Sequence, residues 1–187
     1  MKLYALCDQD MLDSKGMSLE SFLDIAKKHD AYIVQYRNKS ADIAFIKNQL
    51  IAIRKLYDGF LIVNDTCELV EFCDGVHLGQ EDLKSFDKDI SKAVDIARSI
   101  IGKEKLLGIS THNKEEVLKA NNLDLNYIGL GAYRDTTTKK DIQGVLGDTL
   151  DEIASYSKHQ VAAIGGVKLD DTFNHVEYKV IGSGLVS

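Results

Sequence analysis

Short apolar runs alternate along this chain with longer stretches in which apolar side chains recur at spacings of three and four. The runs that read as strands are Lys2–Cys7, Ala31–Gln35, Phe60–Val63, Gly75–Leu78, Lys105–Ile109, Tyr127–Leu130, Val161–Ile164 and Tyr178–Ile181. Between them the helical spacing is plain in several places. Leu19, Phe22, Leu23, Ile25 and Ala26 mark a helix over Leu19–Lys28, with Ser18 as its cap. Ile43, Ile46, Leu50, Ile53 and Arg54 mark a long amphipathic helix that Ser40 begins and Leu56 ends. One or two helical turns fit Cys67–Phe72. Ile90, Val94, Ala97 and Ile101 mark another helix, Asn113 caps one over Lys114–Ala120, and a last one covers Thr149–Lys158. Asp8–Gly16 reads as a polar loop, and a long loop runs from Gly131 to about Gly147.

Eight strands separated mostly by helices predict the α/β class and a (βα)₈ TIM barrel, a single domain over 1–187. The pattern is abbreviated at the C-terminal end. After Gly166 there is room for a turn or two of helix, and no eighth helix follows the last strand. A parallel sheet has to bury its outer face. Tyr4, Leu6 and Val180 are therefore expected as an uncovered apolar strip on the first and last strands, and the strip predicts a homodimer or a tighter oligomer.

Composition changes this picture little. The 187 residues are 44% hydrophobic and 28% charged, as in an ordinary globular protein. A net charge of −6 and a pI near 5.4 argue against nucleic acid or an anionic membrane surface as partner. No apolar run approaches the roughly 20 residues of a membrane helix, and the N-terminus has no signal-peptide pattern, so a cytoplasmic location is expected. Cys7, Cys67 and Cys73 lack metal-type spacing and read as buried free thiols.

Polar residues gather where strands end. Gln35, Arg37 and Lys39 follow the second strand, Asn64 and Asp65 the third, and His77 through Asp82 the fourth. Ser110 closes the fifth, Thr136, Thr138 and Lys139 lie beyond the sixth, and Gly165 and Gly166 follow the seventh. In a parallel barrel these ends meet on one face, which builds the active site. Asp65 and Asp82 would then converge, and two carboxylates suit a hard cation such as Mg²⁺. Both could equally cap the segments that follow. Singly, the lysines read as solvated charges, His77 as a half-buried core histidine and the glycines as a tight turn. Together, cations, carboxylates and glycine N–H groups are what a pyrophosphate requires.

The ordered set QYRNK, VND, DGVHLGQED, LGIST, YIGLG, TTTKKD and AIGGV resembles thiamine phosphate synthase along essentially the whole chain. That family is a barrel transferase which joins a hydroxymethylpyrimidine diphosphate to a thiazole phosphate and releases pyrophosphate. The resemblance implies that Gln35, Arg37 and Lys39 contact the pyrimidine and its diphosphate, that His77 lines the pyrimidine, and that Asn64, Ser110 and Lys139 are further diphosphate contacts. It makes Asp65 and Asp82 ligands of Mg²⁺, and Thr136, Thr138 and Gly166 contacts to the thiazole phosphate. Arg37, Lys39, Ser110 and Lys139 would be the catalytic residues, acting on small-molecule substrates by a dissociative route. Two departures stand out: Asn38 where the family has Glu, and Ala132-Tyr133-Arg134-Asp135 where it has proline and apolar residues. Two alternatives remain at this point. One is a thiazole tautomerase, an isomerase that carries a His where this chain has Ala132. The other is a degenerate barrel that binds a thiamine precursor or a phosphate ester without converting it.

Overall fold

The computed structural model describes residues 1–135 and 144–186. Eight parallel strands close into a barrel in sequence order: β1 (Lys2–Asp8), β2 (Ile33–Arg37), β3 (Phe60–Asn64), β4 (Gly75–Leu78), β5 (Leu106–Thr111), β6 (Tyr127–Leu130), β7 (Gln160–Ala163) and β8 (Tyr178–Ile181). β8 pairs with β1, Tyr4 lying opposite Val180, so the ring is complete. The expected TIM barrel is present.

The helices are α1 (Gln9–Lys15), α2 (Leu19–Lys28), α3 (Ile43–Leu56), α4 (Gln80–Phe86), α5 (Ile90–Ile101), α6 (Lys114–Ala120) and α7 (Thr149–Ala154). Ser18 and Asn113 cap α2 and α6, each accepting from a backbone N–H three residues on. Other expectations need correcting. Asp8–Gly16 is not a loop: Asp8 caps α1 by accepting from Met11 N–H at 3.1 Å, and Gly16 ends it in the left-handed region at φ 58°. Asp42, not Ser40, caps α3, accepting from Phe45 N–H at 2.8 Å. Cys67–Phe72 is a tight 3₁₀ segment. No helix forms between β7 and β8, where a turn or two was expected.

The uncovered strip is overturned as well. Tyr4, Leu6 and Val180 point into the barrel and are buried there with Ile33, Ile62, Tyr127 and Tyr178. The outward residues of β1 are Leu3, Ala5 and Cys7. They pack in one cluster with Met11 and Leu12 of α1, Phe22 and Leu23 of α2, and Val167, Val176 and Leu185 from the segments flanking β8. The first two helices, the stretch before β8 and the 3₁₀ turn Ser183–Leu185 after it therefore seal the wall within one chain. The larger of these side chains, Leu, Met, Phe and Val, contribute roughly 1.5–3 kcal/mol each on full burial. The expected homodimer thus loses the strip from which it was argued.

Among the described residues, no helix is long and apolar enough to cross a membrane. The three cysteines are buried and unpaired, as expected.

Candidate active site

The inward positions of neighbouring strands stack a polar layer at the carboxyl end of the barrel. The register sets Leu6 beside Gln35, Asn64 beside His77, His77 beside Gly108, and Ser110 beside Gly129. Gln35, Asn64, His77 and Arg37 line one pocket, whose apolar wall is Leu6, Ala162, Ile164 and Val180. Tyr4 and Tyr127 form its floor beneath them, with hydroxyls 2.9 Å apart. Two glycines make room. A Cβ on Gly108 would stand 2.1 Å from the Tyr127 ring, and one on Gly129 would stand 3.1 Å from the His77 ring.

At the pocket rim the predicted carboxylates meet. Asp65 and Asp82 share one cation: the Lys39 ammonium is paired with Asp65 and lies 3.9 Å from Asp82. Burial, reinforced by the neighbouring Asp65, pushes the Asp82 carboxyl up to about 6. Such a pair lacks positive charge, and Lys39 supplies part of it. The donor set fits Mg²⁺, which is commonly held by one or two carboxylates and takes its remaining oxygens from water and substrate phosphate. Among the described residues no cluster of three or more His, Cys, Asp or Glu side chains is placed to hold a metal ion.

The cap reading applies to one of the two aspartates. Asp82 accepts from Gly79 N–H at 3.1 Å at the start of α4 and faces the cation as well. Asp65 caps nothing: its carboxylate receives Asn64 Nδ2 at 2.5 Å and Lys39, and its φ of 64° turns the chain into the rim.

Arg37 is held by a residue absent from the sequence-based site, Asp8, which is 2% exposed and forms an ion pair with the guanidinium. The signal was available, since Asp8 ends β1 as Asp65 follows β3. Asn38 accepts through its side-chain oxygen from the Ser40 and Ala41 N–H groups at 3.1 and 2.9 Å, and its Nδ2 donates to the Tyr36 hydroxyl at 3.4 Å. It shapes the loop rather than orienting the arginine. Ser110 is buried on the far side of the pocket, with Oγ 3.0 Å from His77 Nε2.

On the opposite rim Gly165 and Gly166 turn in the left-handed region, at φ 88° and 68°. Arg134, from the Ala132–Asp135 stretch, grips this turn. Arg134 N–H donates to Gly165 O at 2.8 Å, and its guanidinium donates to Gly166 O at 2.9 Å and to Asp171 at 2.6 and 2.7 Å. Thr136, Thr138 and Lys139 lie outside the described residues.

The structure thus lines one pocket with Gln35, Arg37, Asn64 and His77, sets Ser110 against His77, and joins Asn64 to Asp65, which with Asp82 flanks Lys39. Gly166 stands on a different loop, after β7. Chemically the rim can neutralise a polyanion while the polar floor receives a flat ring.

Residues 3–187 match the family described as thiamine monophosphate synthase. A thiamine-phosphate synthase of Persephonella marina is 36% identical over 172 residues, which is 89% of this chain and 77% of that protein. One of Lawsonia intracellularis is 33% identical, over 99% of this chain and 83% of its own length. Among solved structures, a thiamine phosphate pyrophosphorylase from Pyrococcus furiosus superposes with a TM-score of 0.76 at 25% identity, covering 97% of this chain and 85% of that one. An N-acetylmannosamine-6-phosphate 2-epimerase from Clostridium perfringens, at 13% identity and a TM-score of 0.61, shares the fold alone.

Proposed function

The chain belongs to the thiamine monophosphate synthase family, and on that premise we propose that it couples a hydroxymethylpyrimidine diphosphate to a thiazole phosphate in the cytoplasm, releasing pyrophosphate. The observation that carries this reading is the rim where Asp65, Asp82 and Lys39 crowd beside a pocket lined by Gln35, Asn64 and His77. A diphosphate at the rim and an aromatic ring in the pocket is the division such a substrate needs.

Asp65 and Asp82 would hold Mg²⁺, which supplies positive charge to the oxygens of the departing diphosphate. Lys39, Arg37 and Lys139 add to that neutralisation, and Ser110 adds a hydroxyl. As the carbon–oxygen bond breaks, the pair of electrons leaves with pyrophosphate and the pyrimidine methylene becomes cationic. The aminopyrimidine ring spreads that charge, so no protein nucleophile is called for. The thiazole nitrogen then bonds to the methylene carbon. Gly166, with Thr136 and Thr138, grips the phosphate of the thiazole and holds its nitrogen in line. Asp8 keeps Arg37 extended toward the pocket side of β2 throughout.

The test is incubation of the purified protein with both substrates and Mg²⁺. Thiamine phosphate and pyrophosphate in equal amounts are expected. Isomerisation of the thiazole without coupling would support the tautomerase reading instead. Binding of either compound with no turnover would mark a barrel that binds and does not convert.

A further inference from the structure

We infer that the carboxylate of Asp65 polarises a buried hydrogen-bond chain through Asn64, Gln35, Tyr4 and Tyr127, and thereby fixes both the amide orientation of Gln35 and the Nδ1–H tautomer of His77. The argument is an inventory of protons. A carboxylate only accepts, so Asn64 must turn its Nδ2 toward Asp65, at 2.5 Å. That leaves Asn64 Oδ1 to accept from Gln35 Nε2 at 2.7 Å. Gln35 Oε1 is then the acceptor for the Tyr4 hydroxyl, at 2.5 Å.

A phenol has one proton. With Tyr4's given to Gln35, its oxygen accepts from the Tyr127 hydroxyl at 2.9 Å. With Tyr127's proton spent in turn, its oxygen accepts from His77 Nδ1 at 3.0 Å. In the ligand-free protein a neutral imidazole then accepts at Nε2 from Ser110 Oγ, 3.0 Å away, and that hydroxyl can rotate its proton toward a bound diphosphate. Every donor points toward Asp65. Burial pushes both phenols well above their ordinary pKa, so each stays protonated.

Reversal is blocked at one end. Flipping Gln35 would oblige Asn64 to flip, and that would set its carbonyl oxygen against the Asp65 carboxylate, acceptor to acceptor. Between these half-buried groups such a misfit is costly, because solvent reaches them only in part. Tyr4 and Tyr127 are therefore positioning residues: they carry the polarity from one side of the pocket to the other.

The consequence for ligands rests on the function proposed above. Gln35 lines the pocket with its amide held in one order, one N–H and one carbonyl lone pair remaining. An amide in fixed order pairs with a ring nitrogen beside an exocyclic amino group, as Gln and Asn pair with adenine, and it mismatches the oxo analogue.

The closing experiment uses ¹⁵N-histidine-labelled, ligand-free protein, with His77 assigned by comparison with His77→Asn. Wild type should show a protonated Nδ1 and an unprotonated Nε2 for neutral His77. In Tyr4→Phe the Tyr127 proton is released to turn toward His77, so signal from the Nε2–H tautomer should appear. Asp65→Asn should produce the same mixing by a different route, since an amide in place of the carboxylate can donate. An Nε2–H tautomer in wild type, or unaltered signals in both variants, overturns the inference. A kinetic arm follows in Tyr4→Phe: KM for the pyrimidine diphosphate should rise severalfold while KM for thiazole phosphate holds. Equal changes in both would remove Gln35 from the inference. Should wild type fail to couple the substrates, the function reading falls while the tautomer measurement still decides the chain.

Discussion

Arg134 and Asp171 join the loops after β6 and β7 by a two-pronged ion pair, at 2.6 and 2.7 Å, beside the Gly165–Gly166 turn. The same guanidinium holds the carbonyl of Gly166, so the turn proposed to receive the thiazole phosphate is fastened by this pair. Arg134→Ala should therefore raise KM for thiazole phosphate severalfold and leave KM for the pyrimidine diphosphate near wild type. Steady-state kinetics with each substrate varied in turn checks the split. An equal rise in both would mean that the latch supports the whole barrel mouth rather than one subsite.

The Arg134 partner also sets a pH dependence. The guanidinium hydrogen bond, helped by Lys168 N–H at 2.7 Å, holds the Asp171 carboxyl below the ordinary aspartate range against the opposing effect of burial. A depressed carboxylate contributes stability above its unfolded pKa of about 3.9 and loses it as pH falls through the folded value. Asp171→Asn should thus melt below wild type at neutral pH, and the gap should close as pH drops below about 4. Thermal melts at a series of pH values read this directly, and a gap that widens in acid contradicts the assignment.

Much of this site could be read from the chain because strand ends are where apolar runs stop and polar residues begin. Asn64-Asp65 and His77 through Asp82 stood out for that reason, and the structure brings them together. What escaped has physical causes. Strand β1 is buried on both faces from Leu3 to Asp8, so its pattern carries no parity and gives no sign that Tyr4 and Leu6 line the interior. Helix α4 buries only Leu83, and α1 only Met11 and Leu12, too few apolar positions to reveal a helical period. Asp8 reads locally as the start of a loop, and its pairing with Arg37 spans 29 residues, beyond what any local pattern shows.

Metal dependence has a clean genetic test at the carboxylate pair. Asp65 sits at φ 64°, a region where Asn is tolerated far better than Ala, so Asp65→Asn changes charge with least backbone cost. This variant and Asp82→Asn should each lower kcat by about a hundredfold or more, the scale of losing one electrostatic stabiliser of a transition state. Both should melt as cooperatively as wild type. Full activity of wild type in excess chelator would remove Mg²⁺ from these two residues.

The last prediction concerns the space under the pocket. Gly108 lies opposite Tyr127 in the β5–β6 register, and the tyrosine ring occupies the volume that a side chain on residue 108 would fill. A methyl there would stand 2.1 to 2.5 Å from three ring carbons, and a ring wholly enclosed by the barrel has nowhere cheap to go. Overpacking of this kind costs about 1–3 kcal/mol. In a chain of this length each kcal/mol lowers Tm by roughly 2–4 °C, so Gly108→Ala should melt several degrees early. A double-mutant cycle isolates the cause. Tyr127→Leu removes the clashing ring carbons, so the cost of Gly108→Ala should shrink by at least half in that background, giving a coupling well above the roughly 0.3–0.5 kcal/mol within which independent sites add. If Gly108→Ala costs the same with and without the ring, the glycine serves the strand backbone, and the ring's position owes nothing to it.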